Sequence, residues 1–179
     1  NIIKFDINEL SAKEFFCIGT IADMAPLLGA NRKWLKEFLP KISKTNNKGI
    51  SSIIKRLKFG NREITPLDIG YNIAPLINAV GRIGDPKLII NLLLNTTSKN
   101  DKLQLVDKLF NLNMLRKQIT EKIFNEAVVI AHKQFIEERM FLVLFNDEWH
   151  PGIIGIVAAR LVDKFNIPTA IISGSNNSL

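Results

Sequence analysis

Residues 141–172 read FLVLFNDEWHPGIIGIVAARLVDKFNIPTAII. An apolar run at 141–145 is short enough for one strand. Trp149-His150-Pro151-Gly152 then opens a stretch, 152–165, in which Ile153, Ile156, Val157, Leu161 and Val162 recur on one helical face. Asn166-Ile167-Pro168 is a short connector, and 169–172 is a second apolar run. Strand, helix, strand predicts a βαβ unit with parallel strands and a right-handed crossover. The fold class is therefore α/β. Ligands in such units collect at the carboxyl ends of the strands, so 146–150 and 173–178 lie at the edge where binding is expected.

Upstream the pattern turns helical. Leu105, Leu109, Leu112, Ile119, Ile123, Ala127 and Ile130 mark one face of a helix over about 101–136. So long a helix suits a connector between two domains. A coiled-coil dimer is the competing reading, but the flanking positions lack tidy charge pairing. Residues 96–100 form a polar break. Asp85-Pro86 announces a helix to Leu94, and Thr65-Pro66-Leu67-Asp68 another towards Ala79. The latter has a cap, proline at the first position and an acid at the third, with a bend at Pro75. Further back, 49–58 is a short amphipathic helix, 40–48 a polar loop, and 32–39 a helix capped by Asn31. Residues 11–22 are a buried helix, with a strand as the alternative.

The chain has 179 residues, 46% of them hydrophobic and 23% charged, a globular composition rather than a disordered one. Its apolar runs fall well short of the roughly 20 residues of a membrane span. The lone Cys17 excludes a disulfide scaffold and a cysteine-based zinc site, and suits a reducing compartment. The first residue is Asn1, with no basic-then-apolar leader, and the last seven follow directly on a strand-like run. An internal piece of a longer protein is the expectation. Charge is clustered. Ten basic residues between Arg32 and Arg62 face one acid, Glu37. That is the footprint of a polyanion partner, although a solvated lysine-rich surface would give the same run.

Three clusters could carry chemistry. Asp23 closes Gly19-Thr20-Ile21-Ala22-Asp23, either as a structural acceptor or as one ligand of a hard cation whose other ligands come from elsewhere. Arg82 lies between Gly81 and Gly84, where its planar fork suits a phosphate; pairing with Asp85 in a plain turn is the alternative. His150 precedes a helix start, where backbone amides favour an anion; a simple cap beside a packed Trp149 is the alternative. His132 belongs to the surface of the long helix.

Together these stretches resemble the RecJ family of the DHH phosphoesterase superfamily. Residues 17–27, Cys17-Ile18-Gly19-Thr20-Ile21-Ala22-Asp23-Met24-Ala25-Pro26-Leu27, are similar to its last catalytic motif, and Gly29-Ala30-Asn31-Arg32 to the motif that follows. Residues 68–86 are close to its most characteristic stretch. Leu112-Asn113 with Arg116 fits the next helix, and 149–161 the opening of the DHH-associated domain. These matches come in family order and cover most of the chain.

The resemblance implies the mainly helical end of a DHH catalytic domain over 1–97, a connecting helix over 98–139, and the first βαβ unit of a DHH-associated domain over 140–179. It implies a metal-dependent 5′-to-3′ exonuclease of single-stranded DNA acting in repair and recombination. Asp23 is then a ligand in a two-metal Mn²⁺ or Mg²⁺ site, and Arg82 contacts the phosphate near the cut. Arg82, Asn78, Arg32, Lys33, Arg116 and His150 are the residues expected to touch DNA. Single-stranded DNA is the implied partner, with a single-strand-binding protein as a second. No membrane association, a cytoplasmic location and a monomer complete the expectation. The other metal-binding motifs would lie upstream of Asn1 and the glycine-serine-glycine-arginine-type loop downstream of Ile172, so this chain alone should be inert. Glu14 stands where the family often has aspartate. A non-cutting RecJ-like scaffold and a sister enzyme acting on cyclic dinucleotides are the rival readings.

Overall fold

A computed structural model describes residues 9–94, 99–135 and 140–174. The elements run α1 (Glu9–Ala22), α2 (Gly29–Phe38), a 3₁₀ helix (Leu39–Lys44), α3 (Lys48–Arg56), α4 (Pro66–Asp68), a π turn (Ile69–Ile73), α5 (Ala74–Ile83), α6 (Lys87–Leu93), α7 (Lys99–Phe135), β1 (Leu142–Phe145), α8 (Pro151–Phe165) and β2 (Thr169–Ile172). They divide into two compact units. One comprises residues up to Val80 with Asp85–Asn111, the other Gly81–Gly84 with Leu112 onward. No helix among the described residues is long and apolar enough to cross a membrane.

In the first unit, helix starts follow local chemistry where the sequence announced them. Thr65 caps α4 in a reciprocal capping box: its hydroxyl accepts from the Asp68 amide, and Asp68 accepts from the Thr65 amide at 2.9 Å. Asp85 Oδ1 accepts from the Lys87 amide at 2.9 Å and starts α6. Pro75 cannot give an amide hydrogen to the carbonyl four residues back. The expected bend takes the form of the π turn just before it, where the Ala74 amide bonds to the Ile69 carbonyl, five residues earlier. The helix then runs past Ala79 to Ile83.

Other expectations are corrected. Asn31 does not cap α2, which begins at Gly29; its side-chain amide donates to the Pro26 carbonyl at 3.1 Å. The supposed loop at 40–48 contains the 3₁₀ helix, because Ile42 is wholly buried and pins it to the core. The cap of α3 is Asn47, whose Oδ1 accepts from Gly49 and Ile50 and whose Nδ2 donates to the Leu93 carbonyl at 2.9 Å. Residues 11–22 are helical, as preferred over a strand, and α1 buries Cys17 and Ile18. Burial pushes the Cys17 thiol up to about 11, with nearby Glu14 adding to it, so it is an inert core group.

The Asp68 carboxylate also takes a two-pronged bond from Arg62, both prongs at 2.6 Å. That guanidinium, with the Thr65 bonds, holds the carboxyl well below the usual carboxylate range despite burial. A depressed native value means the bond stabilises the fold fully above the ordinary value of 3.8 and is lost as pH falls below it. Asp68→Asn should therefore lower the melting temperature most near neutral pH, and the gap from wild type should close on acidification. A gap that stays constant to low pH would remove Asp68 as the titrating group.

The second unit is built on the βαβ pattern. β1 and β2 pair in parallel, Leu142 opposite Thr169 through Phe145 opposite Ile172. Ile153, Val157 and Leu161 of α8 pack with Leu142 and Leu144, and with Ile123, Ala127 and Ala131 of α7. The spacing of four in both helices puts each triplet on one face, and two buried alanines let α7 come close. Ile156 is only half-buried and Val162 is exposed, so the inward face of α8 is narrower than expected. The polar break at 96–100, the helix end near 136 and the tail at 175–179 fall wholly or partly outside the described residues.

Candidate functional site

Asp23 ends α1. Its amide still bonds to the Gly19 carbonyl at 3.0 Å, while Met24 turns left-handed at φ 50°. Met24 N then donates to the Ile21 carbonyl and Ala25 N to the Thr20 carbonyl, the paired bonds of a Schellman stop. The stop leaves Asp23 exposed at the negative end of the helix dipole. No described residue donates a hydrogen bond or ion pair to its carboxylate. That excludes the structural-acceptor reading within the described residues. It leaves a carboxylate and a helix end that both favour a cation. Among the described residues no group of three or more His, Cys, Asp or Glu could hold a metal.

In the second unit three of the expected residues meet. Arg82 sits in the last turn of α5, not in a loop. Its Nη1 donates to the Gly152 carbonyl at 3.2 Å. Asp85 is not its partner, being occupied with the Lys87 amide. His150 is the cap of α8, with Nδ1 accepting from the Gly152 amide at 3.0 Å. An accepting Nδ1 carries no hydrogen, which leaves Nε2 as the donor of the neutral ring. Trp149 is buried beside it and donates to Glu126 at 2.9 Å. Arg116, half-buried on α7, is steadied by a bond from its Nε to Asn113 Oδ1 at 3.1 Å. Burial first, and the charge of Arg82 second, push the Arg116 guanidinium below its ordinary value. Neither arginine has a carboxylate partner among the described residues. Two unneutralised guanidiniums beside a helix start attract an anion.

Gly152 is the hinge of this arrangement. A Cβ there would overlap the backbone carbonyl of Arg82. Gly152→Ala should force the two segments apart and cost about 1–3 kcal/mol, as overpacking does, read by denaturant unfolding. A variant as stable as wild type would mean that the backbone relaxes freely here.

The basic segment is less free than its composition suggests. Lys41 approaches Glu37 at 4.0 Å, Arg56 pairs with Asp107 at 3.1 Å, and Arg62 is held by Asp68. Arg32 and Lys33 are exposed on α2, and Asn78 is exposed on α5 one turn before Arg82. His132 lies on the surface with its ring edge-on to Phe165. Sequence reasoning missed the burial of Glu14, whose carboxyl is raised by desolvation while the Thr45 hydroxyl opposes the shift. Its nine-residue offset from Asp23 was visible; its burial had no local signal.

No family model matches the chain. Among curated proteins it is 32% identical over 155 residues to the single-stranded-DNA-specific exonuclease RecJ of Bacillus subtilis, covering 87% of this chain and 20% of that protein. It is 30% identical to the protein of the same name from Thermus thermophilus, over 92% of this chain and 23% of that one. A crystal structure of Thermus thermophilus RecJ in complex with Mg²⁺ superposes with a TM-score of 0.79 at 29% identity, over 92% of this chain and 26% of that chain. A crystal structure of exonuclease RecJ bound to manganese gives 0.78 at 30% identity, over 92% and 41%. The chain thus spans about a fifth to a quarter of these curated relatives. In sequence as in fold, the chain is similar to one region of the RecJ exonucleases rather than to their full length.

Proposed function

We propose that this chain is part of a longer metal-dependent nuclease that removes nucleotides from the 5′ end of single-stranded DNA. Residues 1–97 would close its catalytic domain, 98–139 form the connecting helix, and 140–179 open the DHH-associated domain. The observation that carries this reading is the pair of unneutralised arginines, Arg82 and Arg116, beside the start of α8. A phosphodiester is the anion that a guanidinium fork fits. Asp23 would hold a divalent cation together with ligands from outside this chain; relatives were crystallised with Mg²⁺ and Mn²⁺. Bound there, such ions would supply an activated water and charge neutralisation at the leaving oxygen.

The chain's own residues do the rest. Arg82 keeps one nitrogen on the Gly152 carbonyl, which fixes the plane of its fork and leaves the other N–H groups for a phosphate. Arg116 adds a second positive charge from a half-buried position, where solvent screens it less. His150, the cap of the same helix, would offer its Nε2 as a further donor. Asn78 on α5, and Arg32 and Lys33 on α2, would contact the strand itself. We place the protein in the cytoplasm, as a monomer, on single strands presented by a single-strand-binding protein.

A non-cutting scaffold has no use for an exposed Asp23 whose carboxylate has no partner among the described residues. The test is product analysis with the longer protein. A 5′-labelled single strand should lose its label as mononucleotide in Mn²⁺, a duplex should resist, and a chelator should stop the reaction. Release from the 3′ end, or metal-dependent binding with no cutting, would overturn the proposal.

A further inference from the structure

A cleft of about 970 Å³ opens between α3 and the first turns of α7, within the first unit. It stands at the upper end of the size range for ligand pockets, about 300–1,000 Å³, so a lone phosphate ion would not fill it. Its lining is cationic. Lys48, Lys55 and Arg56 come from α3 and Lys102 from α7, against one acid, Asp107. Asp107 is taken by Arg56, whose guanidinium also lies 4.7 Å from the Phe110 ring centre. Lys48, Lys55 and Lys102 have no carboxylate partner among the described residues.

Lys102 is the informative one. It is only 5% exposed, yet it lines the cleft. A lysine that is mostly buried and still borders a cleft is placed as long basic side chains commonly are, with the stem covered and the head towards open space. With no carboxylate partner among the described residues, a cation at this place is suited to a bound anion. Leu103 and Val106 are the apolar members of the lining, and no aromatic ring is among it. Sites that grip the bases of a single strand use aromatic platforms; this cleft has cations and the Ser51 hydroxyl instead.

We propose that the α3–α7 cleft binds the phosphodiester backbone of single-stranded DNA without reading its sequence, with Lys48, Lys55 and Lys102 each neutralising a phosphate. The inference rests on the proposed action on single strands, and gives that action a second contact area built from lysines. It also divides the basic segment, assigning α3 rather than the segment as a whole to this task.

The test uses this chain and a labelled oligothymidylate, with binding followed by anisotropy across a range of NaCl concentrations. Each phosphate neutralised on a single strand contributes about 0.7 to the slope of log K against log salt. The variant Lys48→Ala/Lys55→Ala/Lys102→Met should be shallower than wild type by about 2. The control Lys117→Ala/Lys133→Ala/Lys164→Ala removes as much charge from elsewhere and should change the slope far less. Should Lys102→Met not fold, Lys48→Ala/Lys55→Ala carries the test alone, with a change of about 1.4. Equal slopes in cleft and control variants would overturn the inference, as would no binding of the oligomer. So would stoichiometric binding of inorganic pyrophosphate that depends on Lys102 while the DNA slope stays fixed, since the cleft would then be a small-anion site. The two readings fail separately. Cutting from the 5′ end with an unchanged slope sinks only the cleft, and lysine-dependent binding without cutting sinks only the nuclease.

Discussion

In the longer protein, Arg82→Ala is expected to slow single-turnover cleavage about 10²–10³-fold, the usual effect of removing one preorganised donor to developing charge. Binding of single-stranded DNA should weaken far less, because an interaction that strengthens as charge builds acts on the rate before it acts on affinity. The structure makes the side chain ready in advance. One nitrogen is fixed on the Gly152 carbonyl, no carboxylate among the described residues competes for the rest, and Arg116 raises the local potential. Arg82→Lys should recover part of the rate, since an ammonium keeps the charge and loses the fork. Asp85→Ala should not reproduce the defect, because Asp85 serves the start of α6. The melting temperature should fall only slightly, in keeping with one exposed hydrogen bond, worth about 1 kcal/mol. Normal cleavage by a folded Arg82→Ala protein would remove Arg82 from the reaction.

Asp23→Asn should abolish metal-dependent nucleotide release and leave the fold intact. The substitution keeps the shape, and the carboxylate accepts nothing from the described residues that folding could lose. It also removes a negative charge from the negative end of α1, so the melting temperature should hold or rise. Loss of activity with no loss of stability marks a group kept for function at some cost to the fold. Nucleotide release and thermal melts on the same preparations would check both halves. Near wild-type release would exclude Asp23 as a metal ligand, and a large drop in melting temperature would mean a structural role after all. By the same reasoning the 179-residue chain alone should show no sub-micromolar Mn²⁺ site by calorimetry, as Asp23 offers only one ligand.

What could be read beforehand was local. Thr65, Pro66 and Asp68 carry their helix start in four consecutive residues, and the structure has the capping box there. The βαβ unit was legible because its two strands and its helix each fit one periodicity, and the parallel register follows from the connection. Failures came where a distant contact decided. Residues 40–48 look like a polar loop, yet one side chain, Ile42, finds the core and makes a 3₁₀ helix of them. Asn31 has the chemistry of a cap and spends it on Pro26 instead. Within the site, the motif singled out Arg82, but its partner lies seventy residues on, and no spacing rule reaches that far. The lack of a partner for Asp23 among the described residues and the buried lysine of the α3–α7 cleft are likewise facts of three dimensions.

The π turn at Ile69–Ile73 has a consequence for insertions and deletions. Each residue of an α-helix advances the chain by about 100°. The wide turn takes up one additional residue within a single turn, so everything after it on the same helix, Asn78 and Arg82 included, keeps nearly the phase of an uninterrupted helix one residue shorter. Deleting Gly70 would turn the Ala74-to-Ile69 bond into an ordinary four-residue one, giving an unbroken α-helix with both side chains close to their present phase. Substitutions along Ile69–Ile73 that keep the length preserve the aim of Arg82, whatever they do to packing. In lineages carrying this segment, loss of one residue there should be tolerated, whereas the same loss within Ala74–Ile83 would turn Arg82 by about 100°.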